Sequence, residues 1–477
     1  MTTADRSQEP GTPSNDSGPR SSPGRRRATS ARSTAGNLLT RLVVLPMVVV
    51  TGVLVSRELG TSGRGVYAYL MLPGAVWLPM LSMGFGASVI YFVSSKQHSS
   101  GDLFGASMLV ALTQGLVTAA LIGFLWHLGT LGTIGQSVEP WHMIAALSML
   151  PLQSMTLMLT RLLQGDSQFG ICNGLSIFQQ LLTSSCLIVL VVVCGYGVAG
   201  AVTSMLISSA VMVAVTMVTT TLVVHPTWRV RRVHLNAGLR YGARAWPGDV
   251  ATRANARIDQ LILSTFVDAS SLGLYATAVT VSELIWMIPD SLSFVLFNKV
   301  AAAKSPQVRA ELTEQTHRIV FWCMVVLACL LAVASPWLIT SLYGRPFERA
   351  TVPLLILLPG VVLMVTPKSL TKFLGASGMP GKSSTMVIIG GAACSLLSLG
   401  LVPLFHELGT DGIYGAALAS TLGYAACAVS GIWLYQGVAG TRWSHLWSRL
   451  YVPSRTDLTW LWAQMRSGIL NRPHKPQ

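Results

Sequence analysis

Residues Val66–Phe92 read VYAYLMLPGAVWLPMLSMGFGASVIYF, without one charged side chain between Arg64 and Lys96. A helix needs roughly 20 mainly apolar residues to cross the hydrocarbon of a bilayer, and this run suffices. The rest of the chain repeats the pattern. Of 477 residues, 51% are hydrophobic and only 11% charged, where a soluble domain carries about a quarter charged residues. The composition therefore predicts an all-α membrane protein and excludes a soluble globular one. A net charge of +15 would raise nucleic acid as a partner in a soluble protein; here it reads as topology, and no nucleic acid is expected.

About twelve apolar segments of membrane-spanning length follow one another along the chain. They run over 37–55, 66–92, 103–128, 141–163, 171–194, 198–224, 241–266, 272–300, 318–343, 350–373, 383–405 and 412–436. Cytoplasmic segments of membrane proteins accumulate Lys and Arg. Alternate segments here hold the arginines of the first tail, Lys96, Arg161, Arg229, Arg231, Arg232, Lys304, Arg309, Lys372, Lys382 and the basic residues of the last tail. The opposite loops keep only Arg57, Arg64, Arg345 and Arg349. Both termini are thus expected in the cytoplasm, with the chain multi-pass in the plasma membrane.

Residues 1–36 are rich in Ser, Pro, Gly, Thr and Arg with almost no large apolar group, which predicts a disordered basic tail. Residues 225–240 form a basic linker. Residues 437–477 mix Trp443, Trp447, Trp460 and Trp462 with Arg442, Arg449, Arg455 and Arg466, a composition suited to lying along the membrane interface among its lipids. The seven cysteines fall in or beside apolar segments and read as packing residues. The scattered histidines have no metal-ligand spacing. GMPGKSS from Gly378 ends like a phosphate-binding loop, but Ala376 stands where a glycine is required.

The chain also repeats itself. Gly65-Val-Tyr-Ala aligns with Gly273-Leu-Tyr-Ala, Leu163 and Gly170 with Leu374 and Gly381, and GVAGA from Gly197 with GIYGA from Gly412. These pairings, in order and with slowly drifting offsets, predict two six-helix halves, 37–224 and 241–436. An even number of helices per half places their pseudo-twofold axis along the membrane normal, with a substrate cavity between the halves near the midplane.

Two stretches carry a resemblance. SRELGTSGRGVYAYLMLPGAVWLPMLSMGFGASVIYFVSSK from Ser56 and RIDQLILSTFVDASSLGLYATAVTVSELIWMIPDSLSFVLFNKVAA from Arg257 resemble the polysaccharide and O-antigen flippases of the multidrug/oligosaccharidyl-lipid/polysaccharide exporter superfamily. The resemblance covers 37–436. It implies about twelve transmembrane helices in two pseudo-symmetric lobes around a central cavity that opens to alternate sides. It also implies a cargo, a polyprenyl-pyrophosphate-linked oligosaccharide carried from the cytoplasmic to the outer leaflet for cell-surface polysaccharide biosynthesis.

Ionisable residues inside a span are costly, usually face the bundle interior and are functional candidates. They concentrate on one hairpin: Arg244, Asp249, Arg253, Arg257 and Asp259 in the seventh span, Glu283 and Asp290 in the eighth. On one regular helix Asp249, Arg253, Arg257 and Gln260 would share a sector of about 80°. A pyrophosphate diester needs cationic donors to replace its water, and the guanidinium fork suits phosphate oxygens. For the cargo that the resemblance implies, Arg253 and Arg257 are the candidate head-group ligands, with Arg41 or Arg244 nearer the cytoplasmic entrance. A second reading stands beside it: Asp249 lies four residues before Arg253, a favourable ion-pair spacing, and the stripe then simply holds helices together. Asp249, Asp259, Glu283 and Asp290 are candidates for ion pairs or for coupling to H+ or Na+, with no other cofactor expected. Pro289 beside Asp290 is the proline nominated as a hinge.

A drug exporter of the same fold and a peptidoglycan lipid-precursor flippase are the alternatives. An Arg-rich cavity argues against cationic drugs, and no loop is long enough for a catalytic domain, so no enzymatic activity is expected. Glycosyltransferases and a polysaccharide polymerase are the expected protein partners.

Overall fold

The computed structural model describes residues 23–286, 305–439 and 443–454. The described chain is helical throughout, without strands. The helices are α1 (Pro23–Leu72), α2 (Phe85–Ser94), α3 (Ser100–His127), α4 (Pro140–Gly165), α5 (Phe169–Leu187), α6 (Gly197–Val224), α7 (Arg232–Ala254), α8 (Ile258–Phe266), α9 (Ala269–Leu284), α10 (Pro306–Tyr343), α11 (Thr351–Leu363), α12 (Val365–Ala376), α13 (Pro380–Glu407), α14 (Gly412–Ala439) and α15 (Trp443–Tyr451). Local chemistry sets several of the starts. The side chains of Ser99, Asp268 and Ser305 accept from the backbone N–H groups of Asp102, Ser271 and Val308, satisfying donors that a helix leaves orphaned at its first turn.

Among the described residues nine stretches are long and apolar enough to cross a membrane, where the sequence reading expects about twelve spans. Each departure has a physical reason. Val43–Leu81 runs as one helix of 39 residues in which the first two expected spans merge, but its backbone breaks at Gly60 (φ 65°, ψ −176°), a positive-φ geometry that only glycine adopts freely. The seventh expected span is too polar and is itself broken, into α7 and α8. The eighth continues beyond Trp286, outside the described residues. The remaining spans agree with expectation to within several residues, apart from the start of α10, which begins about three turns earlier than expected.

The turns near 94–100, 165–169 and 225–231 gather at one end of the bundle. There Thr227 donates to the Gly101 carbonyl at 3.1 Å and the rings of His98 and His234 lie 4.6 Å apart. This is the basic end. At the far end Thr133 donates to the Val267 carbonyl at 3.0 Å, and Asp411 receives Ser271 at 3.2 Å and Arg349 at 3.3 Å.

The cores differ between the two ends. One continuous apolar cluster joins Tyr69, Met143 and Met149 from the first half of the chain to Leu272, Leu354 and Ile413 from the second, mainly toward the far end. Toward the basic end the clusters separate. Phe85, Phe104 and Leu162 pack with Leu235 and Tyr241 of α7, while Leu370, Phe373 and Tyr435 pack with Leu450 of α15. Helix α7 bridges the two halves. Tyr241 stacks on Tyr91 at 4.4 Å and Gly242 lies against Gly84, whereas further along Gly248 faces Ser384 and Ala251 packs beside Met386 and Cys427.

Within the second half α13 and α14 pack at backbone distance, because Gly423 faces Cys394 and Gly390 faces Cys427. Small residues permit such approach in membrane helices, where packing rather than water exclusion drives association. Gly423→Leu is expected to lower the apparent melting temperature in detergent by several degrees, since overpacking costs roughly 1–3 kcal/mol. Gly174→Ala, with nothing within 4 Å of its new methyl group, is expected to leave it unchanged or raise it, alanine being favoured over glycine in a helix by about 0.5–1 kcal/mol.

Helix α15 docks on α10. Arg318 donates to the Arg449 carbonyl, Trp322 Nε1 to that of Tyr451 at 2.8 Å, and the Tyr451 hydroxyl meets Thr366 at 2.9 Å. Leu450 is wholly buried and Trp447 exposed, the two-faced arrangement expected of an interfacial helix.

Candidate functional site

The seventh span is interrupted at Asn255–Arg257, a turn in which Arg257 takes φ −145°, ψ 0°. The regular stripe expected from Asp249 to Gln260 is therefore broken, and Arg257 leaves the helix axis toward α9. There it meets Glu283: Nη1 donates to Oε1 at 2.7 Å and Nη2 to Oε2 at 3.0 Å. Two parallel charge-assisted bonds fix both side chains. The pair is not sealed, with Arg257 32% and Glu283 23% exposed.

A second cation approaches the same place. Arg64 lies in α1 just past the Gly60 break, its guanidinium 5.6 Å from the Tyr67 ring centroid. Tyr343 is a further electrostatic neighbour, and Arg257 acts on Arg64 more weakly through space. Its Nε is enclosed without a hydrogen-bond partner. The sequence reading put Arg64 in an outer loop; the signal that would have found it is its position one residue before the repeated Gly-x-Tyr-Ala. Lys368 of α12 is a further candidate that the sequence analysis does not single out, since an ionisable residue inside a span is costly. Its Nζ lies 4.2 Å from the Trp286 ring centroid.

Beyond the break, Asp259 opens α8 and is 2% exposed. The Tyr275 hydroxyl donates to its Oδ2 at 2.6 Å, Ser420 Oγ to the same oxygen at 2.9 Å, and the Gln260 N–H to Oδ1 at 2.8 Å. Cys394 Sγ lies 3.9 Å from Ser420 Oγ. Asn255, 4% exposed, faces Gly391 of α13 with both amide atoms unpaired. The repeated tyrosines thus have different tasks: Tyr67 underlies Arg64, and Tyr275 holds Asp259.

Of the residues picked from sequence, Arg257, Glu283 and Asp259 come together around the Asn255–Arg257 break. Arg253 is half-buried in the last turn of α7, and Arg244 is exposed on the same helix. The side chains of Arg41 and Asp249, and residues Pro289 and Asp290, lie outside what the structure describes. Among the described residues no three metal-ligating side chains converge.

The profile of the polysaccharide biosynthesis protein family matches residues 54–352, well over half of the chain. This chain belongs to that family. Among curated proteins none matches in sequence. In structure the chain is similar to an inward-facing multidrug resistance MATE family transporter of the MOP superfamily, with a TM-score of 0.69 at 14% identity, over 84% of this chain and 98% of that one. Lipid II flippase MurJ in an inward closed conformation gives 0.69 at 12% identity over 94% of each chain. An outward-facing MATE family transporter gives 0.61 at 13% identity, over 86% and 96%. The chain therefore shares the fold of the MOP-superfamily transporters and of MurJ.

Proposed function

We propose that this protein is a flippase that carries a polyprenyl-pyrophosphate-linked oligosaccharide from the cytoplasmic to the outer leaflet of the plasma membrane by alternating access. The observation that carries this reading is the partly exposed Arg257–Glu283 fork, with Arg64 within its electrostatic reach. Two guanidinium groups in the membrane are expensive unless something anionic offsets them. Glu283 balances one, and a pyrophosphate bridging Arg257 and Arg64 would balance both. Arg257 then exchanges carboxylate for phosphate on loading and returns to Glu283 on release. The basic end faces the cytoplasm in this reading, following the distribution of Lys and Arg.

Asp259 is the proposed coupling group for H+ or Na+, with the Tyr275 and Ser420 hydroxyls supplying further oxygens around it. Coupling adds to a drive already present, since moving an anion outward across an inside-negative potential releases about 2.3 kcal/mol per charge per 100 mV. Glycosyltransferases that build the cargo and a polymerase that consumes it are the proposed partners.

Export of a drug is the second reading, favoured by the likeness to MATE transporters. It predicts a different cargo charge, because paired arginines repel cations. Reconstitution distinguishes the two. Proteoliposomes holding a fluorescent polyprenyl-pyrophosphate glycan are expected to expose it to an external quencher at least tenfold faster with the protein than without, roughly the effect of 1.4 kcal/mol. No acceleration, together with uptake of an organic cation, would replace the flippase with the exporter.

A further inference from the structure

The repeat that divides the sequence meets itself in space. A Cβ placed on Gly65 would overlap the carbonyl oxygen of Ala269 and crowd the Gly273 nitrogen, and one on Gly273 would overlap the Thr61 carbonyl oxygen and crowd the Gly65 nitrogen. Each glycine of the two Gly-x-Tyr-Ala motifs is thus seated against the backbone of the other's helix. Beside them Ser270 donates to Thr61 Oγ1 at 2.7 Å. Arg57 adds a cap, donating to the Leu342 and Ser341 carbonyls at the end of α10, where a cation is favoured by the unpaired helix-terminal oxygens. Gly132 lies against Thr265 a short distance away. All these contacts join the first half to the second, and all are at the far end, where the two halves share one core.

We infer that the Gly65–Gly273 crossing is the far-side gate of the transporter, closed in this structure by backbone on backbone. The inference goes beyond the cargo assigned above and requires only that the two sides open in turn. The absence of side chains lets the two helices touch, so at the crossing itself parting means separating backbone from backbone, with the Ser270–Thr61 bond and the Arg57 cap released beside it. A single added side chain holds it ajar. Because the two glycines occupy equivalent positions in the repeat, a bulky residue at either one has the same effect, which an ordinary packing position would not show.

The test uses the full chain in membranes, carrying Thr61→Cys and Ser270→Cys with a protease site in the 225–231 segment, so that linked halves stay together after cleavage. Side chains whose hydroxyl oxygens lie 2.7 Å apart bring two sulfurs near enough to close the roughly 2.05 Å bond of a disulfide with a small adjustment, and mild oxidation is expected to link most of the protein. Adding Gly65→Val, or separately Gly273→Val, is expected to lower the yield at least roughly threefold by shifting the population toward the parted state. Gly174→Val, on the open surface, is expected to leave it unchanged. A pair that does not link, or a yield indifferent to both gate glycines, overturns the gate, as does an equal fall with Gly174→Val. If the valine variants do not accumulate in the membrane, the cysteine pair decides alone: oxidation must arrest transport and reductant restore it, and transport undiminished by the link rejects the inference. A protein that moves no glycan even before oxidation speaks against the flippase reading only, since the linking yields need no cargo.

Discussion

Arg257→Ala is expected to lower the rate of glycolipid flipping by roughly ten- to a hundredfold while the protein still reaches the membrane. A hydrogen bond to a charged group contributes about 1.5–3 kcal/mol, and each 1.4 kcal/mol is about a factor of ten. Arg257→Lys should recover only part of the loss, because an ammonium cannot reproduce the two parallel bonds of the fork. The partner residue behaves differently. Glu283→Gln leaves Arg257 in place and weakens its grip at 2.7 Å and 3.0 Å, so the cargo meets less competition. The expected outcome is tighter binding of the pyrophosphate with slower turnover, read as lower KM and lower kcat. Wild-type flipping by Arg257→Ala would remove the fork from the transport path and leave it a purely structural tie.

Asp259 is expected to separate drive from passage. Its carboxylate accepts from Tyr275, Ser420 and the Gln260 backbone while 2% exposed. Asp259→Ala strands those donors, and a buried group left without its partner costs about 1–3 kcal/mol. That variant should accumulate poorly. Asp259→Asn keeps the shape and one accepting oxygen, so the protein should fold. In vesicles it is expected to let the cargo equilibrate between leaflets at near-normal rates, yet to respond no longer to an imposed proton or sodium gradient. Accumulation driven by a gradient to the wild-type extent in Asp259→Asn would eliminate this residue as the coupling group.

The spans were legible because transfer free energy is local: a run such as Val66–Phe92 announces itself without reference to any neighbour. The break after Gly60 was marked by the polar stretch around it, and the repeat by Gly65 and Gly273. The sequence from Asp249 to Gln260 fits one regular helix, but the structure breaks it at Asn255–Arg257, where Arg257 pairs with Glu283 across 26 residues. Arg64 was misplaced for a related reason. Charge near the end of a span reads as loop by composition, and only the packing of α9 on α1 brings that guanidinium within electrostatic reach of Arg257. Glu283 and Asp259 were nominated as intramembrane acids, but their partners lie 26, 16 and 161 residues away in sequence, and no local pattern encodes those distances.

Helix α7 also constrains how the molecule can move. Its first turns are pinned to one half of the protein through Tyr91 and Gly84, and its later turns to the other through Ser384 and Met386. A strut anchored at both ends cannot let its two supports swing freely; any tilt between them has to be absorbed in the stretch between the anchors, where Pro247 lacks the N–H of a regular helical bond. Arg257, at the interruption beyond both anchors, is tied to the second half through Glu283. A bend at Pro247 would therefore carry Arg257 along with that half and change its position relative to the first.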